Sequence, residues 1–439
     1  MERCNLVWFD HDYRIHDHPA LLAATKAGAK VLGIAVIHPS ELKTHTHGFL
    51  AMSATRQQAL HHVLNELTVT LLTYNIPLVV MIDTYENAIK RVQQHVEIQN
   101  IFASEPRGYL EDKRIRRLQE NVSIPWSFHP GRALLIHEPW LSSIPDVFTS
   151  FRKELQQKAT YRISVPKPQS TPMLDVTIVD DLNQLDHQLE LPFALGEEAA
   201  IARLDYYLFE RKLVNHYKET RNGMLSFDDS SKLSFHLAMG TLSATQVHET
   251  LKHYEKTIHK NDSTYWLRFE LWWREFFHWQ AQRNLNIYVK PQAHRPNPTM
   301  IQAWMTGETG FALVDAAMKE LATTGYMSNR ARQNVASFFV HYLKQDWRVG
   351  ADYFASQLID YDPSSNYLNW QYVAGVGHDP RDYRIFNVYK QGLQYDPDAL
   401  YVKAWLPELE GLSASQIYRV QSTVSQQRGR PKPIVSMPF

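Results

Sequence analysis

The sequence predicts an α/β N-terminal domain built on a doubly wound parallel sheet, plus a large all-α domain, joined by a long connector. Three observations predict it. In the first third of the chain, short apolar runs alternate with stretches of helical spacing, the pattern of parallel strands linked by helices. Beyond residue 200, helical patterns follow one another with few strand signals. Between them the period is lost and prolines gather at Pro166, Pro168 and Pro172. The expected divisions are 1–130 for the α/β domain, 131–200 for the connector, 201–420 for the helical domain and 421–439 for a short basic tail. A chain of 439 residues suits more than one domain, and 44% hydrophobic content can bury a large core.

In order along the chain, Leu6–Phe9, Val31–Ile37 and Pro77–Ile82 read as buried strands, with Asn100–Ala103 a weaker fourth. Helical spacing occupies 54–75 and 85–98 between them. No Gly-x-Gly-x-x-Gly follows the first strand, so there is no dinucleotide fingerprint. A ligand would still sit in the crevice at the carboxyl ends of the strands. In the second domain, helices are expected over 202–217, 243–258, 263–283, 310–324, 329–344 and 350–359. The tail, with Arg428-Gly-Arg-Pro-Lys-Pro433, is basic and proline-bearing and is expected to be loose.

Formal net charge is zero, so nucleic-acid binding would need a local basic patch. The single cysteine, Cys4, rules out disulfides and four-cysteine iron–sulfur or zinc sites. It also suits a reducing compartment. No metal site is expected. No apolar run reaches the ~18 residues of a membrane span, and the start lacks a basic-then-apolar signal. A soluble, cytoplasmic monomer with no membrane partner is expected.

Four segments carry chemistry. Asp360-Tyr-Asp-Pro-Ser-Ser-Asn-Tyr-Leu-Asn-Trp-Gln-Tyr372 sets Asp360, Asp362, Asn366, Trp370 and Tyr372 close together. These groups suit the wall of a pocket for a large, flat, hydrogen-bonding ligand; an Asx-rich turn capping the next helix is the plainer reading. Tyr217-Lys-Glu-Thr-Arg-Asn-Gly223, followed by Ser230-Ser-Lys-Leu-Ser234, gathers hydroxyls, a lysine and free N–H groups at a helix start. That is an anion site, or an ordinary serine-rich cap. In Tyr265-Trp-Leu-Arg-Phe-Glu-Leu-Trp-Trp-Arg-Glu-Phe-Phe277, Glu270, Trp273 and Arg274 share one helical face. They face a low-dielectric site, or Glu270 and Arg274 form an internal pair in a core helix. In Tyr326-Met-Ser-Asn-Arg-Ala-Arg-Gln-Asn-Val-Ala-Ser-Phe-Phe339, Asn329, Arg332, Gln333 and Ala336 line one stripe. Arg332 is a partner for Asp360 or Asp362; a solvated helix face is the alternative.

Taken in order, these motifs resemble the flavin domain of the photolyase/cryptochrome family, over nearly the whole chain. The likeness is strongest to its DASH-type members, through Pro145-Asp-Val-Phe-Thr-Ser-Phe-Arg-Lys153, Tyr217–Gly223, Met327–Ser337 and Asn369-Trp-Gln-Tyr-Val-Ala-Gly-Val-Gly377. The resemblance implies that the helical domain binds FAD. Tyr217, Ser230, Ser231, Lys232, Leu233, Ser234 and Arg274 match the cradle of its pyrophosphate and ribityl chain. Asp360, Asp362 and Asn366 match the groups around the isoalloxazine, with Arg332 paired to Asp360 and Gln333 beside them. Glu270, Trp273, Asn329 and Tyr372 match the pocket for a flipped pyrimidine dimer. The implied activity is light-driven repair of cyclobutane dimers by electron transfer from excited reduced FAD, the flavin being tuned by its surroundings. A blue-light receptor on the same scaffold is the alternative.

Two substitutions refine the expectation. Tyr372 and Gln333 stand where duplex-active members have tryptophan and methionine, which favours single-stranded DNA as substrate. Ser328-Asn329 stands where 6-4 photoproduct enzymes carry a histidine pair. The opening Phe9-Asp-His-Asp-Tyr-Arg14 departs from the usual Phe-Arg-Arg-Asp-Leu-Arg, and Ser234-Phe-His-Leu-Ala-Met-Gly240 lacks the usual proline. Trp370 and Trp347 match the inner members of the family's electron relay. The outer position aligns with His294, and Tyr288 or Tyr342 are candidate endpoints. DASH-type members often carry a methenyltetrahydrofolate antenna, for which Glu105 is the candidate contact.

Overall fold

The computed structural model describes residues 1–106, 109–283, 296–377, 385–419 and 428–436. Its first domain is a five-stranded parallel sheet of order β3-β2-β1-β4-β5. The strands are β1 (Glu2–Phe9), β2 (Lys30–Ile37), β3 (Leu78–Ile82), β4 (Val96–Ser104) and β5 (Trp126–His129). Strands buried over most of their length read as unbroken apolar runs, which is why β1, β2 and also the edge strand β3 were legible. The edge strand β5, half-buried along its length, gave no such signal. The crossover helices are α1 (Pro19–Lys26), α2 (Ala54–Leu72), α3 (Tyr85–Gln93) and α4 (Tyr109–Asn121). The sequence reading ran α3 on to residue 98, whereas β4 already begins at Val96.

Residues 131–200 are not a uniform surface connector. Leu134, Leu135, Leu141 and Ile144 enter the core of the helical domain, as do Phe148, Phe151 and Leu155 of α5 (Phe148–Lys158). After Pro166 the chain returns to the α/β domain. Thr171 N–H donates to the Tyr74 carbonyl at 3.0 Å and Asp181 N–H to that of Val80 at 2.8 Å. Leu182, Leu185 and Leu195 pack into the core on that face of the sheet. Proline density flagged a break in periodicity; it could not reveal where the extended backbone lay.

The helical domain runs through α6 (Glu197–Asp205), α7 (Tyr217–Thr220), α8 (Ser234–Met239), α9 (Ala244–Thr257) and α10 (Asp262–Arg283). It continues with α11 (Pro298–Thr306), α12 (Ala312–Thr324), α13 (Asn329–Ser337), α14 (Trp347–Gln357) and α15 (Pro363–Ala374), then three shorter helices. Two expected helices are interrupted: Tyr206–Glu210 and Phe338–Tyr342 each form a wide π turn. The segment from Asp360 to Tyr372 is neither strand nor loop. Asp362 caps α15 by accepting from the Ser365 N–H at 2.7 Å, and Pro363 supplies the first helical position. The tail is not loose over 428–436. Arg430 pairs with buried Asp315, and Ile434 N–H donates to the Thr309 carbonyl at 3.0 Å.

The two domains meet through buried polar contacts. Arg14, 1% exposed, donates to the carbonyls of Gly240 at 2.9 Å and Gly131 at 2.7 Å. Gly240 ends α8 with φ +70, and a Cβ there would lie 2.1 Å from the His11 carbonyl oxygen. Gly240→Ala is therefore expected to destabilise the protein by roughly 1–3 kcal/mol. A denaturation midpoint equal to that of the native sequence would refute this close approach.

Candidate flavin and substrate site

Two adjoining cavities open in the helical domain. One, of about 280 Å³, lies between α7, the Ser230–Ser234 loop, α10 and the start of α13. The other, of about 110 Å³, lies between α13 and α15. Asn329, Arg332, Asp360, Asp362 and Ser365 line both. They are two ends of one space.

Tyr217 and Ser230, Ser231, Lys232, Leu233 and Ser234 wall the first cavity. The loop is set by a capping box between Ser226 and Asp229, after which Lys232 takes a left-handed conformation, φ 56. Lys232 is 6% exposed, and its Nζ donates to the Tyr326 hydroxyl at 3.1 Å. No side chain caps α8.

Across the cavity, α10 contributes Glu270 and Arg274. These two do not form the internal pair considered from sequence. Glu270 pairs with Arg221 instead, and Arg274 donates to the Arg132 carbonyl at 3.1 Å. Burial pushes the Glu270 carboxyl up, and the Arg221 guanidinium opposes it. Arg221 lies inside a quoted segment, yet nothing in the sequence aimed it at Glu270, because Gly223 and the following loop intervene.

Asp362 holds the densest set of partners. Its carboxylate accepts from His278 Nε2 at 2.9 Å and lies 3.4 Å from Arg132 Nη2. An ionised carboxylate only accepts, so Nε2 carries the imidazole proton. Burial raises the Asp362 carboxyl, but His278, Arg274 and Arg132 outweigh it and hold the group well below the usual range. Burial pushes His278 down to about 4. Sequence reasoning missed His278, although it lies four residues after Arg274 on the stripe already noticed. Asp360 Oδ2 accepts from Arg332 Nη2 at 2.8 Å, while its buried Oδ1 has no hydrogen-bond partner among the described residues.

The second cavity is lined by Asn366, Gln333, Trp370 and Tyr372. Asn366 donates through Nδ2 to the Ala351 carbonyl at 2.9 Å. Trp273 lines neither cavity. Its ring stacks on Phe148 with centroids 3.6 Å apart and meets Tyr372 edge-on at 6.2 Å. Phe148 comes from the presumed connector, so sequence spacing could not show that one face of Trp273 is covered. Trp347 is 8% exposed and Trp370 2%. His294 and Tyr288 lie outside the described residues; Tyr342 packs against Phe311 and Phe338.

A third cavity, about 300 Å³, lies between the domains and is lined by Asp10, His11, Arg56, Glu111, Arg114 and Tyr361 among others. Burial pushes Asp10 up to about 6 despite Arg132 nearby. Glu105 is not part of this lining. Its backbone N–H donates to the His129 carbonyl at 2.9 Å, which continues the β4–β5 edge.

Known proteins share this fold over nearly the whole chain. A family model described as DNA photolyase matches residues 5–172, and one described as the FAD binding domain of DNA photolyase matches 266–437. A Gloeobacter violaceus protein named Cryptochrome DASH is 36% identical, over 98% of this chain and 93% of its own. The crystal structure of a Synechocystis cryptochrome superposes with a TM-score of 0.92 at 34% identity, covering 99% of this chain and 96% of that one. An archaeal photolyase from Sulfolobus tokodaii, solved with two FAD molecules, gives 0.79 at 27% identity, covering 99% and 96%. The chain belongs to the photolyase/cryptochrome family. It is an FAD-binding flavoprotein, with the α/β and all-α domains that the sequence predicted.

The residues present fit that cofactor. A cavity with hydroxyls, Lys232 and an uncapped helix start at one end suits a pyrophosphate, and the unpaired Asp360 Oδ1 suits a ring edge bearing a donor. Removing Arg332 would leave Asp360 as an uncompensated buried charge. Arg332→Ala is expected to destabilise the protein by about 3–5 kcal/mol and to lower the FAD content after purification; native FAD stoichiometry and melting temperature would contradict this. A second expectation concerns acid. A histidine whose folded pKa is depressed contributes stability that is whole above the unfolded value of about 6.5 and declines as pH falls towards the folded one. Unfolding free energy should therefore drop as pH falls from about 6.5 towards 4. His278→Gln should flatten that limb in a pH series of denaturant titrations, and an unaltered slope would exclude His278 as a cause.

Proposed function

We propose that the protein is a light-driven lyase that splits cyclobutane pyrimidine dimers, with single-stranded DNA preferred over duplex. One observation carries the reading. Glu270 and Asn329 open onto the same space as the Ser230–Ser234 loop, and Asn329 and Tyr372 share its other end with Asn366. Groups able to hydrogen-bond and stack on a flipped lesion thus face the proposed cofactor space itself. Reduced FAD, when bound, would supply light-driven one-electron chemistry to open the cyclobutane ring.

The roles follow from the chemistry of each side chain. Tyr217, the Ser230–Ser234 segment and Arg274 would hold the pyrophosphate and ribityl chain. Asp360, Asp362, Asn366, Arg332 and Gln333 would surround the ring. Asn329 would donate to the exposed edge of the lesion, and Tyr372 would stack on it beside Trp273. Glu270 would hydrogen-bond the same edge, and its carboxyl, raised by burial against the pull of Arg221, would stabilise the dimer radical anion if it carries a proton there. A phenol at Tyr372 offers less stacking area than an indole, so it offsets less base-pair disruption and leaves single strands favoured. The interdomain cavity is the proposed seat of an antenna. A methenyltetrahydrofolate there would meet Glu111 and Arg114.

The test is loss of dimers from irradiated single- and double-stranded oligonucleotides under reductant and blue light. Faster loss in single strands is expected. No light-dependent loss in either would overturn the reading and leave a flavin photoreceptor as the account. Glu270→Gln should slow repair by up to ~100-fold with FAD still bound, whereas loss of the flavin would make Glu270 a structural residue.

A further inference from the structure

Trp370 forms part of the inner wall of the second cavity. Its indole rests directly on α14, where a Cβ at Gly350 would lie 2.3 Å from the ring. On another side it meets a second indole, Trp304 of α11, with centroids 6.1 Å apart and planes at 77°. Trp304 is fully buried, and its Nε1–H donates to the Val335 carbonyl at 3.2 Å. From Trp304 the rings continue outward. Tyr353 lies at 5.5 Å, Phe49 lies 5.3 Å from Tyr353, and His45 stacks on Phe49 at 4.6 Å. Phe49 and His45 line the interdomain cavity. An unbroken column of rings therefore joins the flavin-side cavity to the one between the domains.

We propose that Trp304 is an electron donor to Trp370, the first station of a second path that refills the flavin-side indole from the direction of the interdomain cavity, alongside Trp347. Trp304 is held against a carbonyl, which is no base for its N–H proton. The hole accordingly resides on it as an indole radical cation, with no bond broken. Tyr353 donates its hydroxyl to the Met305 carbonyl at 3.3 Å, and burial pushes that phenol up to about 12. Oxidising it would require a proton acceptor that Met305 does not provide. Tyr353 and Phe49 bridge, and the hole stops at Trp304. The electron balance is simple: one electron leaves Trp370 for the flavin, one leaves Trp304 for Trp370, and one leaves a thiolate in solvent for Trp304. The thiolate becomes a thiyl radical, two of which couple to a disulfide, and no proton crosses the chain. The proposal rests on FAD binding and not on dimer repair, so failure of the repair assay leaves it standing.

The experiment is laser-flash absorption and electron paramagnetic resonance on the oxidised holoprotein, without DNA, with and without dithiothreitol. Trp347→Phe should retain a long-lived indole radical, and Trp304→Phe added to it should abolish that signal. Loss of the radical in Trp347→Phe alone, or an unchanged signal in the double variant, overturns the path. If the double variant does not keep its flavin, Phe49→Leu in the Trp347→Phe background decides. Removing the ring next to the cavity should slow the thiol-dependent decay of the radical, and an unchanged decay overturns the proposal.

Discussion

The buried carboxylate of Asp362 is the constraint on which the rest of the site depends. It caps α15, accepts a hydrogen bond from His278 of α10 and pairs with Arg132 from the chain just after β5. Three segments distant in sequence are thereby fixed on one atom group that is 7% exposed. A buried carboxylate is tolerated only when its lone pairs are used and its charge is balanced. Every partner must therefore be in place before the cavity between α10, α13 and α15 has a shape. The neighbouring Asp360–Arg332 pair works the same way for α13, but leaves one oxygen free for a ligand.

Around this polar centre the chain places aromatic rings by depth. Trp304 and Trp370 lie in the deep core, whereas Trp273 and Tyr372 stand partly exposed beside the cavities. Depth suits each pair to different work. An indole sealed in the core keeps its proton and can only exchange electrons. A ring at the rim can offer its face to an incoming base, and Phe148 behind Trp273 limits it to one face. The acid groups divide likewise: Asp362 is held ionised by cations, while Glu270, at the edge and pushed up by burial, is opposed by the guanidinium of Arg221.

Much of this was legible in the sequence where a local rule operates. Strands buried over most of their length announce themselves as apolar runs, and Glu270 with Arg274, or Asn329 with Arg332 and Gln333, fall on one face by helical spacing alone. The motif order was enough to identify the family and its cofactor. What spacing could not supply was contact between segments far apart in the chain. The half-buried β5 has no pattern of its own. The stretch before Pro166 lacks a clean period, yet it fills the helical core with Phe148 and Phe151. Arg221 meets Glu270, His278 meets Asp362 and Trp304 meets Trp370 only because α7, α10, α11 and α15 pack together. Sequence determined which residues carry charge, rings and caps, since these follow from side-chain chemistry and helical or strand period. Tertiary structure decided which carboxylate is paired, which ring is covered and which stays open, because burial and partnership depend on distances that no local rule encodes.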